Sequence, residues 1–342
     1  MKKIWSAAIV GVLLAASVGT AAYGMVSSDK EFTDGEEQRY AWPLATCSTE
    51  DTITHVFAET FAEEVERLSD GQMKIQVYPQ STLGGDRELM ESCKDGDIPF
   101  VVQSPAPQVS FMPELCVFDT PCAFENIDEA RKTIDDSQFQ EIIQGIYEDA
   151  GYQILGMADQ CFRVMTSKKP FEGIESFKGQ KIRTMENTYH LQFWKAMGAN
   201  PTPMTFSEVY IGLQQGTIDA QENAYELIVS AKLYEQQKYV IETNAVPDYI
   251  TLISSDKFFQ KLSKKQQEII RQAGENAQEK ARESADTRRE ERQKELEAEG
   301  MQIISIDDET WQEMREACQP VYENIREQAG DELFNLYMGA SE

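Results

Sequence analysis

Two hydrophobic periodicities alternate along the first 103 residues, and this alternation constrains the fold more than any other feature of the sequence. The stretches "YAWP", "MKIQVYP" and "IPFVVQS" are typical of short strands. Between them, apolar residues recur at helical spacing over 53–68, and "DRELMESCKDG" predicts a shorter helix that Asp86 caps and Gly96 ends. Because strands that alternate with helices form parallel sheets covered by helices, we expect an α/β fold.

The same alternation resumes near residue 152 and predicts a second α/β unit. Predicted strands occupy "KIRTM", "TIDAQEN", "DYITLISS" and "MQIISI", and "HLQFWKAMG" predicts a helix. A further helix in "SEVYIGLQQG" is expected to be capped by Ser207 and to end at Gly216. Helical sequence also runs from a Ser263 cap to Gly300, which is unusually long. We expect this helix to lie along both units, the alternative being a solvated coiled-coil-like arm.

Length and charge narrow the possible organisation and partners. A chain of 342 residues suits two lobes better than a single domain. Its net charge of -27 repels phosphate backbones, so no nucleic-acid partner is expected. The same charge repels anionic ligands at long range. An anion site would therefore need a strong local concentration of positive charge.

The N-terminus, "MKKIWSAAIVGVLLAASVGTAAYG", has the pattern of a secretory signal peptide. Two lysines precede an apolar run over 4–18, and small residues near Ala22 and Gly24 offer a cleavage site. We predict a signal peptide over 1–24, a polar leader over 25–37 and a periplasmic mature protein. The alternative is a retained anchor that would hold the protein on the extracytoplasmic face of the membrane.

Residue types used for metal binding and catalysis are scarce. The six cysteines include no CxxC pair and the only histidines are His55 and His190, so neither a metal site nor a cofactor is predicted. One disulfide is possible after export, but apolar surroundings such as "LCVFDTPCAF" favour buried thiols. Because GxSxG, HExxH and Walker motifs are missing from the sequence, nothing in it indicates an enzyme.

Arg163, in "CFRVMTS", and Arg183, in "QKIRTMENTYH", lie on predicted strands, where a guanidinium is costly to bury. One interpretation pairs each arginine with an acid at a sheet edge. The other is a clamp for a ligand carboxylate, because a guanidinium is planar, two-pronged and permanently charged. Ligands of parallel-sheet proteins bind beyond the carboxyl ends of the strands, where we expect Arg183 and where Asn223 could add an amide.

Four longer stretches carry a resemblance to a known family: "STLGGDRELMESCKDG", "KGQKIRT", "GANPTPMTFSEVYIGLQQGTIDAQEN" and "KLYEQQKYV". Over 38–335 the chain resembles the extracytoplasmic solute-binding subunits of TRAP transporters (tripartite ATP-independent periplasmic transporters), of the C4-dicarboxylate-binding type. The resemblance implies two α/β lobes of a periplasmic-binding-protein fold, joined by a hinge and spanned by a long helix. We place lobe I at 38–160 plus 249–290 and lobe II at 161–248 plus 291–335.

The resemblance also implies roles for individual residues. Arg183 is expected to be the principal carboxylate-binding residue, with Arg163 as a second cation. Asn223 is expected to contribute an amide and Phe206 an apolar ring over the ligand. Further ligand contacts are expected at less closely matched positions, namely Trp42, Cys47, Gln103 and Glu186. The segment 85–87 (Gly, Asp, Arg) matches the family too, in a role that can be structural.

The function implied is capture of a small organic acid anion in an interlobe cleft and its delivery to a TRAP membrane permease for uptake driven by an ion gradient. We expect a sugar acid or a C4-dicarboxylate. One alternative is a binder of the same kind that feeds a sensor kinase. Another is an exported enzyme acting on an anionic substrate, for which the sequence offers no nucleophile–base pair.

Overall fold

A computed structural model describes residues 40–339 of the chain, so the predicted signal peptide and leader lie outside the described residues. The strands within this range are β1 Trp42–Ala45, β2 Ile75–Tyr78, β3 Phe100–Gln103, β4 Tyr152–Phe162, β5 Val164–Ser167, β6 Lys181–Thr184, β7 Asn200–Pro203, β8 Ala220–Asn223, β9 Tyr239–Glu242, β10 Pro247–Ser255 and β11 Gln302–Ser305. The helices are α1 Ile53–Leu68, α2 Asp86–Asp95, α3 Ile127–Ile134, α4 Ser137–Asp149, α5 Thr188–Ala196, α6 Val209–Gln215, α7 Tyr225–Ser230, α8 Asp256–Phe259, α9 Lys264–Ala298, α10 Asp308–Ala317, α11 Gln319–Ala329 and α12 Asp331–Tyr337.

The strands form two sheets, with the orders β2-β1-β3-β10-β4 and β11-β9-β5-β8-β6-β7. In the first sheet, β1 pairs in parallel with β2 and β3, as the strand–helix alternation predicts. The sheet is nevertheless mixed, because β10 pairs antiparallel with both β3 and β4. In the second sheet, β6 is parallel to β7 and β8. The predicted two-unit α/β fold is confirmed.

Both faces of each sheet are covered, so the strands carry apolar side chains on both faces. In β3, Phe100 and Val102 belong to the core shared with α1 and α9, whereas Val101 belongs to the core on the opposite face. This period of two is the expected consequence of strand geometry. In the second sheet, Val164 and its neighbour Met165 likewise enter different cores.

The chain crosses between the sheets at three places. β4 is followed by β5 of the other sheet with only Arg163 between them, and β9 is followed by β10 after a short connection. The third crossing runs through α9, from β10 of the first sheet to β11 of the second. The C-terminal helices also contact both units, since α12 packs on α3 and α4 while α11 packs on α5 and on the 3-10 segment Pro113–Asp119. The sheets alone do not fix lobe boundaries, which stay a prediction.

The long helix predicted from Ser263 to Gly300 is α9, a helix of 35 residues. Its first turn has a capping box, in which the Ser263 hydroxyl and the Gln266 side chain each bond the other's backbone N–H. Its earlier part packs on α1 and β4, and it also contacts α7 and β11 of the second unit. The buried face consists mostly of small residues, including Ala273, Gly274 and Ala277, so the helix approaches β4 closely. The helix therefore spans both units.

Two predicted caps are corrected by the structure. Gly85, not Asp86, is the N-cap of α2, and Asp86 is the first helical residue. Ser207 lies within a 3-10 turn, Phe206–Glu208, and α6 begins after it without a side-chain cap. Neither α2 nor α6 has a side-chain hydrogen bond at its N-cap, so the side chains of Asp86 and Ser207 do not cap these helices. Within residues 40–339, no helix has the length and apolar character needed to cross a membrane.

We predict that Gly274→Ala destabilises the protein by about 2 kcal/mol, because a β-carbon there would overlap the carbonyl oxygen of Leu155 and push α9 away from β4. Gly145→Ala is the matched control, since Gly145 lies in α4 with open space around the position of a β-carbon. This control should stabilise by about 0.5–1 kcal/mol through helix propensity. Urea unfolding followed by circular dichroism measures both, and equal effects would contradict the close helix–strand contact.

Candidate functional site

A cavity lies between the two sheets, at the carboxyl ends of strands from both. Thr46 and Cys47 reach it after β1, and Gln103 reaches it at the end of β3. From the other sheet, Arg183 on β6 and Asn223 at the end of β8 line the same space. Strand ends of this kind are the usual ligand position in open α/β sheets, because the helices on either side leave a crevice there.

Arg183 is the cation whose bonding is incomplete. Its Nε and Nη2 donate to the carbonyl oxygen of Met204, at 2.9 and 2.7 Å. Its Nη1 is buried and has no hydrogen-bond partner in the described part of the chain, and the whole side chain is 2% exposed. Burial, together with the charge of Arg163, lowers the pKa of Arg183 to about 10. The guanidinium therefore stays charged at neutral pH and presents an unused donor to the cavity.

Arg163 also lines the cavity, but the protein itself supplies its partners. Its Nη1 donates to Asp248 at 2.6 Å, and its Nε donates to Glu222. Its Nη2 bonds the backbone oxygen of Glu222 at 2.6 Å and the amide oxygen of Asn223 at 2.9 Å. Arg163, Glu222 and Asp248 are all nearly fully buried. The interpretation that an arginine pairs with acids thus describes Arg163, whereas Arg183 has no acid within salt-bridge distance among residues 40–339.

The acidic network extends across the two units through α5. His190 Nε2 lies 3.0 Å from Asp119, and its Nδ1 lies 3.5 Å from Glu222. The amide of Asn187 donates to Asp119 at 2.6 Å and to the carbonyl oxygen of Ala106 at 2.8 Å. Burial alone would lower the pKa of His190, but its bonds to the two carboxylates outweigh burial and raise it to about 9. His190 is therefore a cation within this network.

A polar end of the cavity is built by the first unit. Both amide atoms of Gln103 are buried without a hydrogen-bond partner in residues 40–339, and this side chain is 3% exposed. Asp86, at the start of α2, lines the same space. Burial raises the pKa of Asp86 despite the opposing effects of Cys47 and the charge of Arg183. The thiol of Cys47 is 3.6 Å from the carbonyl oxygen of Gly84, and burial beside Asp86 raises its pKa, so it stays protonated.

The structure brings together most of the residues proposed for ligand contact. Arg163, Arg183, Asn223, Phe206, Cys47 and Gln103 all line the cavity. Trp42 does not: its indole packs against Phe258, with ring centroids 4.9 Å apart, because β1 turns this side chain into the core. Glu186 is exposed outside the lining, although its charge still acts on Asp86. Neither residue belongs to the cavity lining, and their contact with a ligand stays a prediction.

Several side chains at the cavity do not follow from the sequence pattern. The pattern predicts Asp86 as a helix cap, with a family match over 85–87, whereas the structure places Asp86 in the cavity lining. The glycine-rich "LGGDR" turn after a strand is a signal for such a position. The pattern does not identify Asp119, Glu222 and Asp248 as members of the network. Asp248 is 85 residues from Arg163, and only the crossover of the chain brings them together. No spacing pattern within the sequence indicates such a pair.

The described residues contain no cluster of three or more His, Cys, Asp or Glu side chains arranged to hold a metal ion. All six cysteines are free thiols, and five of them are buried. What the cavity offers chemically is one incompletely bonded guanidinium, one incompletely bonded amide and a carboxylate. Two α/β units with such a cavity between them define a bilobal binding protein for a small polar solute.

Sequence and structure comparisons agree with this class. Residues 44–329 match the family described as bacterial extracellular solute-binding protein, family 7 (DctP), and the chain belongs to this family. A solute-binding protein from Verminephrobacter eiseniae is 36% identical over 208 residues, which are 60% of this chain and 62% of that protein. The ectoine-binding periplasmic protein TeaA from Halomonas elongata is 30% identical over 331 residues, 94% of this chain and 92% of TeaA.

The fold also matches a solved TRAP periplasmic solute-binding protein from Polaromonas sp. JS666, bound to D-erythronate. The TM-score is 0.84 at 31% identity, and the match covers 88% of this chain and 99% of that one. The resemblance to TRAP solute-binding subunits is confirmed, and the fold prediction with it.

We predict that Arg163→Ala lowers the free energy of unfolding by about 3–5 kcal/mol, because it leaves the buried carboxylates of Glu222 and Asp248 without their cation. Arg183→Ala, the matched control, removes no ion pair of the described chain and should cost much less. Urea unfolding of the two variants without added ligand compares them. Equal losses would mean that Arg163 does not hold the network together.

The histidine in the network gives stability a specific pH dependence. The pKa of His190 is about 9 in the folded protein and about 6.5 in an unfolded chain, so its contribution is complete below pH 6.5 and is lost as the pH rises through 9. We expect wild type to lose about 3 kcal/mol relative to a His190→Gln variant between pH 6 and pH 10. Parallel pH dependences of unfolding for the two proteins would exclude a charged His190.

Proposed function

We propose that the protein binds a small organic acid through its carboxylate, with Arg183 as the principal contact, and delivers it to a TRAP membrane permease. The observation that carries this proposal is the buried Nη1 of Arg183, which has no partner in residues 40–339 and lines the cavity between the units. A carboxylate supplies the acceptor and the negative charge that this guanidinium lacks. In a site that excludes water, such a bond is stronger than at the surface.

The ligand would contact both units, since Arg183 and Asn223 belong to the second sheet while Thr46 and Gln103 follow strands of the first. A ligand that bonds both units stabilises their closed arrangement over an open one. We therefore expect hinge closure, with the crossovers at Arg163 and between β9 and β10 as the moving connections. Closure would give the permease a state to recognise.

The relatives support this reading of partner and location. The Polaromonas protein is a TRAP periplasmic solute-binding protein with a bound sugar acid anion, and TeaA is a periplasmic binding protein. We propose that this protein likewise works in the periplasm, or on the extracytoplasmic face of the membrane. We further propose that it binds without turnover, since the polar groups in the cavity are suited to holding a ligand rather than to activating a nucleophile.

A thermal-shift screen of the purified protein tests the class of ligand. The panel contains aldonates, uronates, C4-dicarboxylates, keto acids and sulfonates, with the corresponding neutral sugars as controls. Because a ligand that binds only the folded protein raises its apparent stability, a carboxylate ligand should shift the melting temperature and its neutral analogue should not. A shift by neutral sugars alone would contradict a carboxylate clamp.

We predict that Arg183→Ala weakens binding of the acid found in this screen by roughly a hundredfold or more, with the fold retained. Lys181→Ala is the matched control, because Lys181 lies on the same strand and carries the same charge but is exposed. Titration calorimetry measures both affinities and circular dichroism checks the fold. Equal affinities of the two variants would remove Arg183 from the site.

A further inference from the structure

We propose that the ligand is a hydroxylated monocarboxylate, such as an aldonic acid, and that Gln103 and Asp86 select its hydroxyl groups against the second carboxylate of a dicarboxylate. This inference rests on the proposed function and concerns the end of the cavity that lies on the first unit. The Arg183 end takes one carboxylate in either case. The choice between a sugar acid and a C4-dicarboxylate is therefore made by Gln103 and Asp86.

Gln103 needs a partner that both accepts and donates. Its Nε2 is a donor and its Oε1 is an acceptor, and both are buried without a partner in the described chain. A second glutamine in the cavity lining, Gln160, contrasts with it: its Oε1 accepts from Thr54 at 3.3 Å and its Nε2 donates to Asp248 at 3.1 Å. The incomplete bonding is thus a property of Gln103 and not of cavity amides in general. A hydroxyl group satisfies both amide atoms, whereas a carboxylate can only accept.

Asp86 adds a carboxyl group to the same choice. Asp86 lines the cavity from the first turn of α2. Burial raises its pKa, and the charges of Glu186 and Glu88 raise it further. The hydrogen bond with Cys47 and the charge of Arg183 act in the opposite direction but do not cancel this rise. A ligand carboxylate beside Asp86 would bring two carboxyl groups together in a buried site, where their repulsion opposes ionisation of both. A ligand hydroxyl can instead donate to Asp86 without adding charge.

A dicarboxylate therefore meets two penalties at this end of the cavity. It leaves the Oε1 of Gln103 without a donor, and it places a second carboxyl group beside that of Asp86. A site built around buried polar groups discriminates strongly against a ligand that leaves those groups unpaired, because their desolvation is then uncompensated. The D-erythronate in the Polaromonas relative has the chemistry that we infer, namely one carboxylate with hydroxyls on the neighbouring carbons.

Titration calorimetry with D-erythronate, L-galactonate, succinate and ectoine tests the inference. We expect the tighter of the two aldonates to bind at least a hundredfold more tightly than succinate. Asp86→Asn should narrow this ratio by about tenfold or more, mainly by improving succinate binding, because the amide keeps the shape of the side chain and cannot be ionised. Glu91→Gln is the matched control, since Glu91 is an exposed acid on the same helix, and it should leave the ratio unchanged.

Gln103→Leu gives a second readout, in which the aldonate should lose affinity and succinate should lose little. Succinate binding as tight as the best aldonate, or ectoine binding tighter than both, would overturn the inference while leaving a carboxylate at Arg183. In the second case Asp86 would select a cationic group. The inference would also be overturned if Gln103→Leu bound no acid and Asp86→Asn kept the aldonate-to-succinate affinity ratio of the wild-type protein. If no acid binds the wild-type protein, the proposed function itself fails.

Discussion

The buried ion network around Arg163 is the interaction on which the rest of this structure depends. Arg163 is the single residue between β4 and β5, and its partner Asp248 lies at the start of β10, so one ion pair joins two of the three crossings of the chain between the sheets. Its other partner, Glu222, stands next to Asn223 at the cavity. Charges this deeply buried are tolerated only when each has its counter-ion, so the network fixes how the two crossings lie against each other.

Arg183 acquires its role because Arg163 already engages the nearby acids. Burial by itself raises the pKa of Glu222, but the charge of Arg163 and the bond to His190 lower it to about 2. Glu222 is therefore an anion whose partners are Arg163 and His190 rather than Arg183. Within the described chain, Arg183 bonds only a backbone oxygen. The positive charge of the neighbouring Arg163 disfavours the positive charge on Arg183. An anionic ligand relieves both the missing bond and this repulsion, which explains how a strongly acidic protein can attract an anion to one place.

The strand–helix alternation was sufficient to predict the two α/β units and the long helix, because the periodicity of β3 and the Ser263 cap are local properties. The position of Arg183 near the end of a strand was predictable for the same reason, and the family resemblance predicted it as the principal carboxylate residue with Arg163 as a second cation. The physical reason for the different bonding of the two arginines was not predictable. It depends on Asp248 and Glu222, which reach Arg163 only through the crossings of the chain. The burial of Trp42 in the core was not predictable either, because a short strand with both faces covered gives no signal for which side chains face the cavity.

The long helix α9 has a second link between the units, separate from the ligand site. Arg288 bonds Asp51, which precedes α1, at 2.7 Å and Glu226 of α7 at 2.7 Å, and Arg292 reaches the same two acids. Glu226 is buried while Asp51 is largely exposed, so the two halves of this link differ in strength: the bond to Asp51 is screened by solvent and the bond to Glu226 is not. Within this link the bond to the second unit is therefore the stronger one, whereas the first unit is held to the helix by the packing of α9 on α1 and β4. A ligand that bonds both units inside the cavity, as we propose, would add a link between the units that the exposed bond to Asp51 does not supply.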